Sequence, residues 1–252
     1  MALAAAPDRL QSSAMQIIKN GTALHTIDDW RAHTPPRTPE QWTRGRSAFE
    51  CAAAWFSSSG PCVPPEIAGL LASHEDTASA QITGATPGHP VRFDRGRGEP
   101  RTCDVVAVAE SGDGLLAICV DAKVDEAFDG SVEQALADAV DRRAHGQRTN
   151  AVARIEQLAA ALLPPPRRGV PPLGALRAVL IVHEFVSERT EERRRASDYA
   201  NLSGFVARLS DGHAAVEPGV LHGPFGVPGA PLFERPAALY VGKAVRRWRP
   251  SA

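Results

Sequence analysis

Three residues near the middle of this 252-residue chain have the types and spacing to do chemistry: Asp104, Asp121 and Lys123. They flank two apolar runs. Val105, Val106 and Val108 supply the β-branched core of one run, and Leu115, Leu116, Ile118 and Val120 the apolar core of the next. Between them Ser111-Gly112-Asp113-Gly114 is turn chemistry, because glycine takes positive φ freely and Asp-Gly favours a hairpin. Side chains alternate along a strand, so Asp121 and Lys123 share a side and Ala122 faces the other. An antiparallel hairpin turning at 111–114 brings Asp104 beside Asp121 and Lys123. Carboxylate oxygens suit a hard divalent cation such as magnesium, which keeps several waters. A lysine beside them can position or help deprotonate a water and offset developing negative charge.

An acid on one strand followed by an acid-any-lysine triplet on the next, here Asp104 and Asp121-Ala122-Lys123, resembles the PD-(D/E)xK nuclease superfamily, the restriction-endonuclease-like fold. Trp42-Thr-Arg-Gly-Arg-Ser47-Ala and Val120-Asp-Ala-Lys-Val-Asp-Glu126 also resemble an uncharacterised bacterial family that shares this pattern. The resemblance is clearest over residues 42–136, and Thr102-Cys103 stand where a proline is expected before the first acid. It implies a metal-dependent nuclease, with Mg2+ or Mn2+ as cofactor and nucleic acid, DNA first, as partner. Asp104, Asp121 and the Ala122 carbonyl would then hold the metal, and Lys123 would handle the attacking water. Glu50, on the first helix, would complete the catalytic set. The rival expectation is a non-catalytic module of the same fold that binds nucleic acid or a protein, in a defence or mobile-element system.

Each supporting residue has a plain alternative. Ser47-Ala-Phe-Glu50 is a capping box opening a helix over about 47–58, and that role accounts for Glu50 without any metal. Arg95, Arg97 and Arg101 surround a charged turn beside the proposed site, and Arg46 precedes the helix. All four are candidate phosphate contacts, or ordinary solvated arginines. Trp42 and Trp55 read as core or staple residues. His183, near the end of the apolar run 175–186, reads as a core histidine. Asp125 and Glu126 continue past the triplet and support the site or are loop residues.

The whole chain sets the bounds. Its formal net charge is −1, so any basic surface for nucleic acid is local. The four cysteines, Cys51, Cys62, Cys103 and Cys119, show neither a C-x-x-C pair nor zinc spacing; Cys119 in a strand and Cys51 in a helix are expected to be buried thiols, and a reducing cytoplasm is the expectation. No apolar run approaches the ~20 residues of a membrane span, and the N-terminus is a poor signal peptide. There is no G-x-S-x-G elbow, and the glycines at 96 and 98 are not followed by a helix, as a dinucleotide fingerprint requires. Homo-oligomerisation finds no support in the sequence.

Periodicity and breakers then place the elements. We expect a strand and turn at 16–21, a helical turn at 27–33 and a proline loop at 34–39. Helices are expected over about 65–74, 131–143, 150–163 and 188–209. Residues 75–89 read as a polar loop, 90–93 as a strand and 175–186 as a strand buried on both faces. In the tail, 216–221 and 237–245 read as edge strands. The order fits an α/β sandwich with a mixed central sheet flanked by helices, compatible with the restriction-endonuclease-like core αβββαβ. We divide the chain into an N-terminal extension (1–40), an α/β core (41–210) and a β-rich C-terminal extension packed on it (211–252).

Overall fold

The structure, a computed structural model, describes residues 15–92, 99–124, 126, 128, 131–162, 176–187, 190–227 and 237–248. The expectations for 1–14 and for Arg95, Arg97 and Asp125 lie outside the described residues.

The first elements are β1 (Gln16–Lys19), β2 (Thr22–Leu24) and α1 (Ile27–His33). Asn20 and Gly21 both have positive φ, the conformation an Asn-Gly hairpin turn needs. Thr26 and Asp29 close a reciprocal capping box on α1. After a one-turn 3-10 helix (Pro39–Gln41) come α2 (Ser47–Ala54), β3 (Phe56–Ser57), β4 (Gly60–Pro61) and α3 (Pro65–Ala72). Three long strands follow: β5 (Gln81–Val91), β6 (Arg101–Ser111) and β7 (Gly114–Lys123). Then come α4 (Val132–Ala144), α5 (Ala151–Leu162), β8 (Leu176–Val186), α6 (Glu192–Leu209), β9 (Leu221–Val227) and β10 (Ala237–Arg247).

Eight strands form one mixed sheet in the order β2-β1-β5-β6-β7-β8-β10-β9. β5, β6 and β7 are antiparallel neighbours, whereas β7–β8 and β8–β10 are parallel. The chain is therefore α/β with a large mixed sheet flanked by helices. One core packs α2 and α3 on the Val105, Val120 and Ile181 face, around the fully buried Trp55. A second packs Leu202 and Val206 of α6 on Val182, Leu239 and Val241. No helix among the described residues is long and apolar enough to cross a membrane.

Several expectations are corrected here. Residues 81–91 are a strand, although two glycines and two prolines lie within them. β1 pairs with β5 only at Gly84 and Ala85, so beyond that point the far edge of β5 needs no ladder donor, and Pro87 and Pro90 are tolerated. Residues 216–221 are not a strand apart from Leu221, where β9 begins. β10 is not an edge: it lies between β8 and β9. The segments before 41 and after 210 both add strands to the same sheet. Cys119 is not a free thiol but is bonded to Cys103, with Cα atoms 6.2 Å apart; Cys51 and Cys62 are free. On α4 only Ala139 is buried, and Val132 is exposed.

Candidate active site

The site forms where the β6–β7 ladder ends. Main-chain pairing runs back from Ser111↔Gly114 and stops at Val105↔Val120. Beyond it the Ala122 amide has no strand partner on that side, and the Asp104 carboxylate supplies the acceptor, with Oδ2 at 2.7 Å from the Ala122 nitrogen. A buried amide must be satisfied, so the first acid is fixed against the triplet of the next strand. Ala122 points into the core at 1% exposed, while Lys123 Nζ lies 3.2 Å from Asp121 Oδ2. The structure thus brings Asp104, Asp121 and Lys123 together with the alternation their spacing requires.

Electrostatics couple the members of the group. Burial pushes the Asp104 carboxyl up to about 6; the Ala122 amide opposes this, and the Asp121 charge adds to it. Burial works against the Lys123 ammonium, yet Asp121, Asp104 and Glu126 together hold its pKa above the ordinary lysine value. Lys123 is therefore a cation at neutral pH, suited to offsetting charge rather than to removing a proton. Glu126 joins the group from the following loop and accepts a hydrogen bond from Ser47 Oγ at 2.7 Å. Cys51, on the same helix as Ser47, is buried, which raises its thiol pKa well above normal, and the charges of Asp104 and Asp121 raise it further.

The helix start differs from expectation. Arg46 is the N-cap of α2 and Ser47 its first residue, so Ser47 and Glu50 do not form a capping box. The Ser47 hydroxyl is drawn instead to Glu126, and the buried Glu50 carboxylate accepts the Gly45 amide at 2.9 Å. Among the described residues no hydrogen bond or ion pair joins Glu50 to Asp104, Asp121 or Lys123. Arg46 and Arg101 are exposed, Arg46 beside Ser47 and Arg101 three residues ahead of Asp104. Trp42 packs edge-on against Phe49 at 5.9 Å.

Two surroundings border the site. A cleft of about 540 Å³ lies on the Asp104 side, walled by Lys19, Arg37, Trp42, Ser47 and Thr102. On the Lys123 side is a buried charge network. Glu184 of β8, 4% exposed, receives Lys243 Nζ of β10 at 3.2 Å and Arg195 Nε of α6 at 3.4 Å. Lys123 and Glu184 are register partners. The sequence reading passed over this network, although a lone acid in an apolar strand and a lone lysine in another are the signature of a buried pair. Across the sheet, the fully buried His183 meets Glu66 of α3 at 2.7 Å, and Arg246 reaches the same oxygen at 2.9 Å. This is the core histidine the sequence suggested.

The donor set suits a hard cation. Asp104 and Asp121 each commit one oxygen within the protein and keep the other. That matches a magnesium-type ion, bound by one or two carboxylates while retaining its waters. Among the described residues no three His, Cys, Asp or Glu side chains form a ready-made metal cluster.

The family model for a domain of unknown function, DUF6946, matches residues 23–170, and the chain belongs to that family. The match contains Asp104, Asp121, Lys123 and Glu126 and ends before β8. No curated protein and no solved structure matches the chain.

Proposed function

We propose that this DUF6946 member is a metal-dependent nuclease that hydrolyses phosphodiester bonds in nucleic acid, with DNA the first expectation and a restriction-endonuclease-like core as its scaffold. The observation that carries the reading is the meeting of Asp104, Asp121 and Lys123 at one strand end, with one carboxylate held at a pKa of about 6 by burial and by the other. Two acids placed so close to each other gain from a shared cation. The element order also agrees with the expected αβββαβ core: α2 and α3 precede three antiparallel strands, and α4 and α5 connect β7 to the parallel β8.

In this reading Asp104 and Asp121 hold a magnesium or manganese ion, and the Ala122 carbonyl remains a candidate third ligand. When bound, such an ion lowers the pKa of a water and polarises a phosphoryl oxygen. The protein's own part is positional and electrostatic. The Ala122 amide fixes Asp104, and Asp121 orients Lys123. The Lys123 ammonium would offset charge gathering on the phosphoryl oxygens as water attacks phosphorus and gives up its proton to solvent, while the P–O bond to the leaving oxygen breaks and that oxygen takes up a proton from solvent. Arg46 and Arg101, both exposed, are the candidate contacts for flanking phosphates. Cytoplasm is the proposed compartment, although the Cys103–Cys119 bond weighs against a steadily reducing one.

A second reading, a non-catalytic module that binds nucleic acid or a protein, has one observation in its favour. Both acids already have partners within the protein, the Ala122 amide and Lys123. Titration calorimetry with Mn2+ separates the two. The nuclease reading expects millimolar or tighter binding that disappears in Asp104→Asn and in Asp121→Asn. Absence of binding in the parent protein, or binding that survives both substitutions, removes it.

A further inference from the structure

We infer that the cleft beside Asp104 holds one unpaired nucleotide of the substrate strand, so that the nuclease proposed above acts on single-stranded nucleic acid. The inference rests on that reading for the chemistry but on separate residues for the binding. At about 540 Å³ the cleft falls within the roughly 300–1,000 Å³ typical of small-ligand sites. That is room for a single nucleotide. A base still paired in a duplex is kept out of a concave pocket by its partner strand and must first be extruded.

The lining has the mixture that unpaired nucleotides need, an aromatic wall with positive charge for the backbone. Trp42 and the Pro35–Pro36 segment supply apolar surface. Lys19 and Arg37 supply charge, and Asp104 is the one carboxylate among the described lining residues. The cations thus line the same cleft as the acid that would hold the metal, and Lys19 and Arg37 offer a phosphodiester there charge of the opposite sign.

The wall is built in advance of any ligand. Lys19 Nζ donates to the Pro87 and Gly88 carbonyls at 2.8 and 2.7 Å, leaving one of its three N–H donors for a phosphate. Gly88 has φ +53°, and a Cβ there would lie 2.5 Å from Thr34 Cγ2, so glycine is what lets the proline loop close against β5. Thr34 Oγ1 is buried in this wall without a hydrogen-bond partner among the described residues.

The test is fluorescence anisotropy of the full chain, in chelator and at one fixed salt concentration. The probes are fluorescein-labelled oligothymidylate and the same strand annealed to oligoadenylate. We expect the single strand to bind roughly tenfold or more tightly than the duplex, and Arg37→Glu to weaken it about tenfold with a shallower salt dependence. Trp42→Ala should weaken it likewise. Trp42 also packs on Phe49, so Arg37→Glu, at an exposed loop position, carries the test if Trp42→Ala fails to fold. Equal or tighter duplex binding, or an unchanged Arg37→Glu, overturns the inference. Cleavage with Mn2+ is scored apart. Cutting of duplex DNA that Arg37→Glu leaves intact sinks the cleft assignment and spares the nuclease reading. Single-strand binding with no cleavage of any substrate keeps the cleft and sinks the nuclease reading.

Discussion

At Asp104 stability and chemistry pull in opposite directions. Its carboxyl titrates near 3.8 in an unfolded chain and at about 6 in the folded one. Between those values the folded state holds a proton that the unfolded state has released. Ionising the group therefore weakens the fold as pH rises from about 4 to about 6, by roughly 2–3 kcal/mol. Asp104→Asn keeps an oxygen acceptor for the Ala122 amide and removes the charge. In chelator at about pH 8 this variant should resist urea better than the parent by ~2 kcal/mol, and near pH 4 the gain should vanish. A variant less stable than its parent at pH 8 contradicts this account. The same proton competes with a cation, so Mn2+ affinity measured by calorimetry should fall as pH drops below about 6 and level off above it.

Among the elements, β8 is held from both faces by titratable side chains that alternate along it. Glu184 joins β8 to Lys243 of β10 and Arg195 of α6. Lys243 is 4% exposed, so Glu184→Ala strands a buried cation and should cost ~3–5 kcal/mol in urea unfolding. A cost under about 1 kcal/mol would mean that the network is solvated. On the other face His183 is bonded to Glu66, and burial depresses its pKa. A neutral folded histidine contributes stability fully above about 6.5, and loses it as pH falls and the unfolded chain takes up the proton. This slope runs against that of Asp104, so the acid limb belonging to His183 is best measured in the Asp104→Asn background, where it should steepen.

These elements also show what could be read from the chain. The β6–β7 hairpin was visible because turn residues and β-branched runs agree, and that agreement placed the two acids and the lysine. The start of α3 was visible for a similar local reason, Pro65 in its first turn. β5 was hidden because its glycines and prolines read as loop, and only its neighbours make it a strand. The Ser47–Glu50 box was misread because a partner 79 residues away, Glu126, takes the serine hydroxyl, and no local pattern announces such a contact. Lys19 and Arg37 share a cleft with Asp104 through tertiary packing, Lys19 by way of the β1–β5 pairing, and no local pattern shows this.

For the molecule as a whole, the decisive feature is where the chain ends enter the sheet. β10 pairs with β8 in parallel along eleven residue pairs, from Ala237↔Leu176 to Arg247↔Val186. Truncation after Ser210 would leave β8 as a bare apolar edge and remove Lys243 from Glu184. We expect that fragment to be insoluble, or to lack cooperative unfolding by circular dichroism, because such an edge is a template for aggregation. A soluble, cooperatively folding 1–210 fragment would mean that the C-terminal strands are an addition rather than part of the core. The family match stops at residue 170, short of β8, although the sheet that carries the acids continues through β8 and β10.

The most direct test of the central claim is cleavage by the purified full chain. The substrates are plasmid, linear duplex, single-stranded DNA and RNA, each with Mn2+ and with chelator, alongside Lys123→Ala. The account predicts metal-dependent cutting of at least one substrate, abolished by chelator and lost in Lys123→Ala while that variant remains folded and still binds Mn2+. Cleavage by Lys123→Ala at the parent's rate, or no cleavage of any substrate by a parent that binds Mn2+, would contradict it.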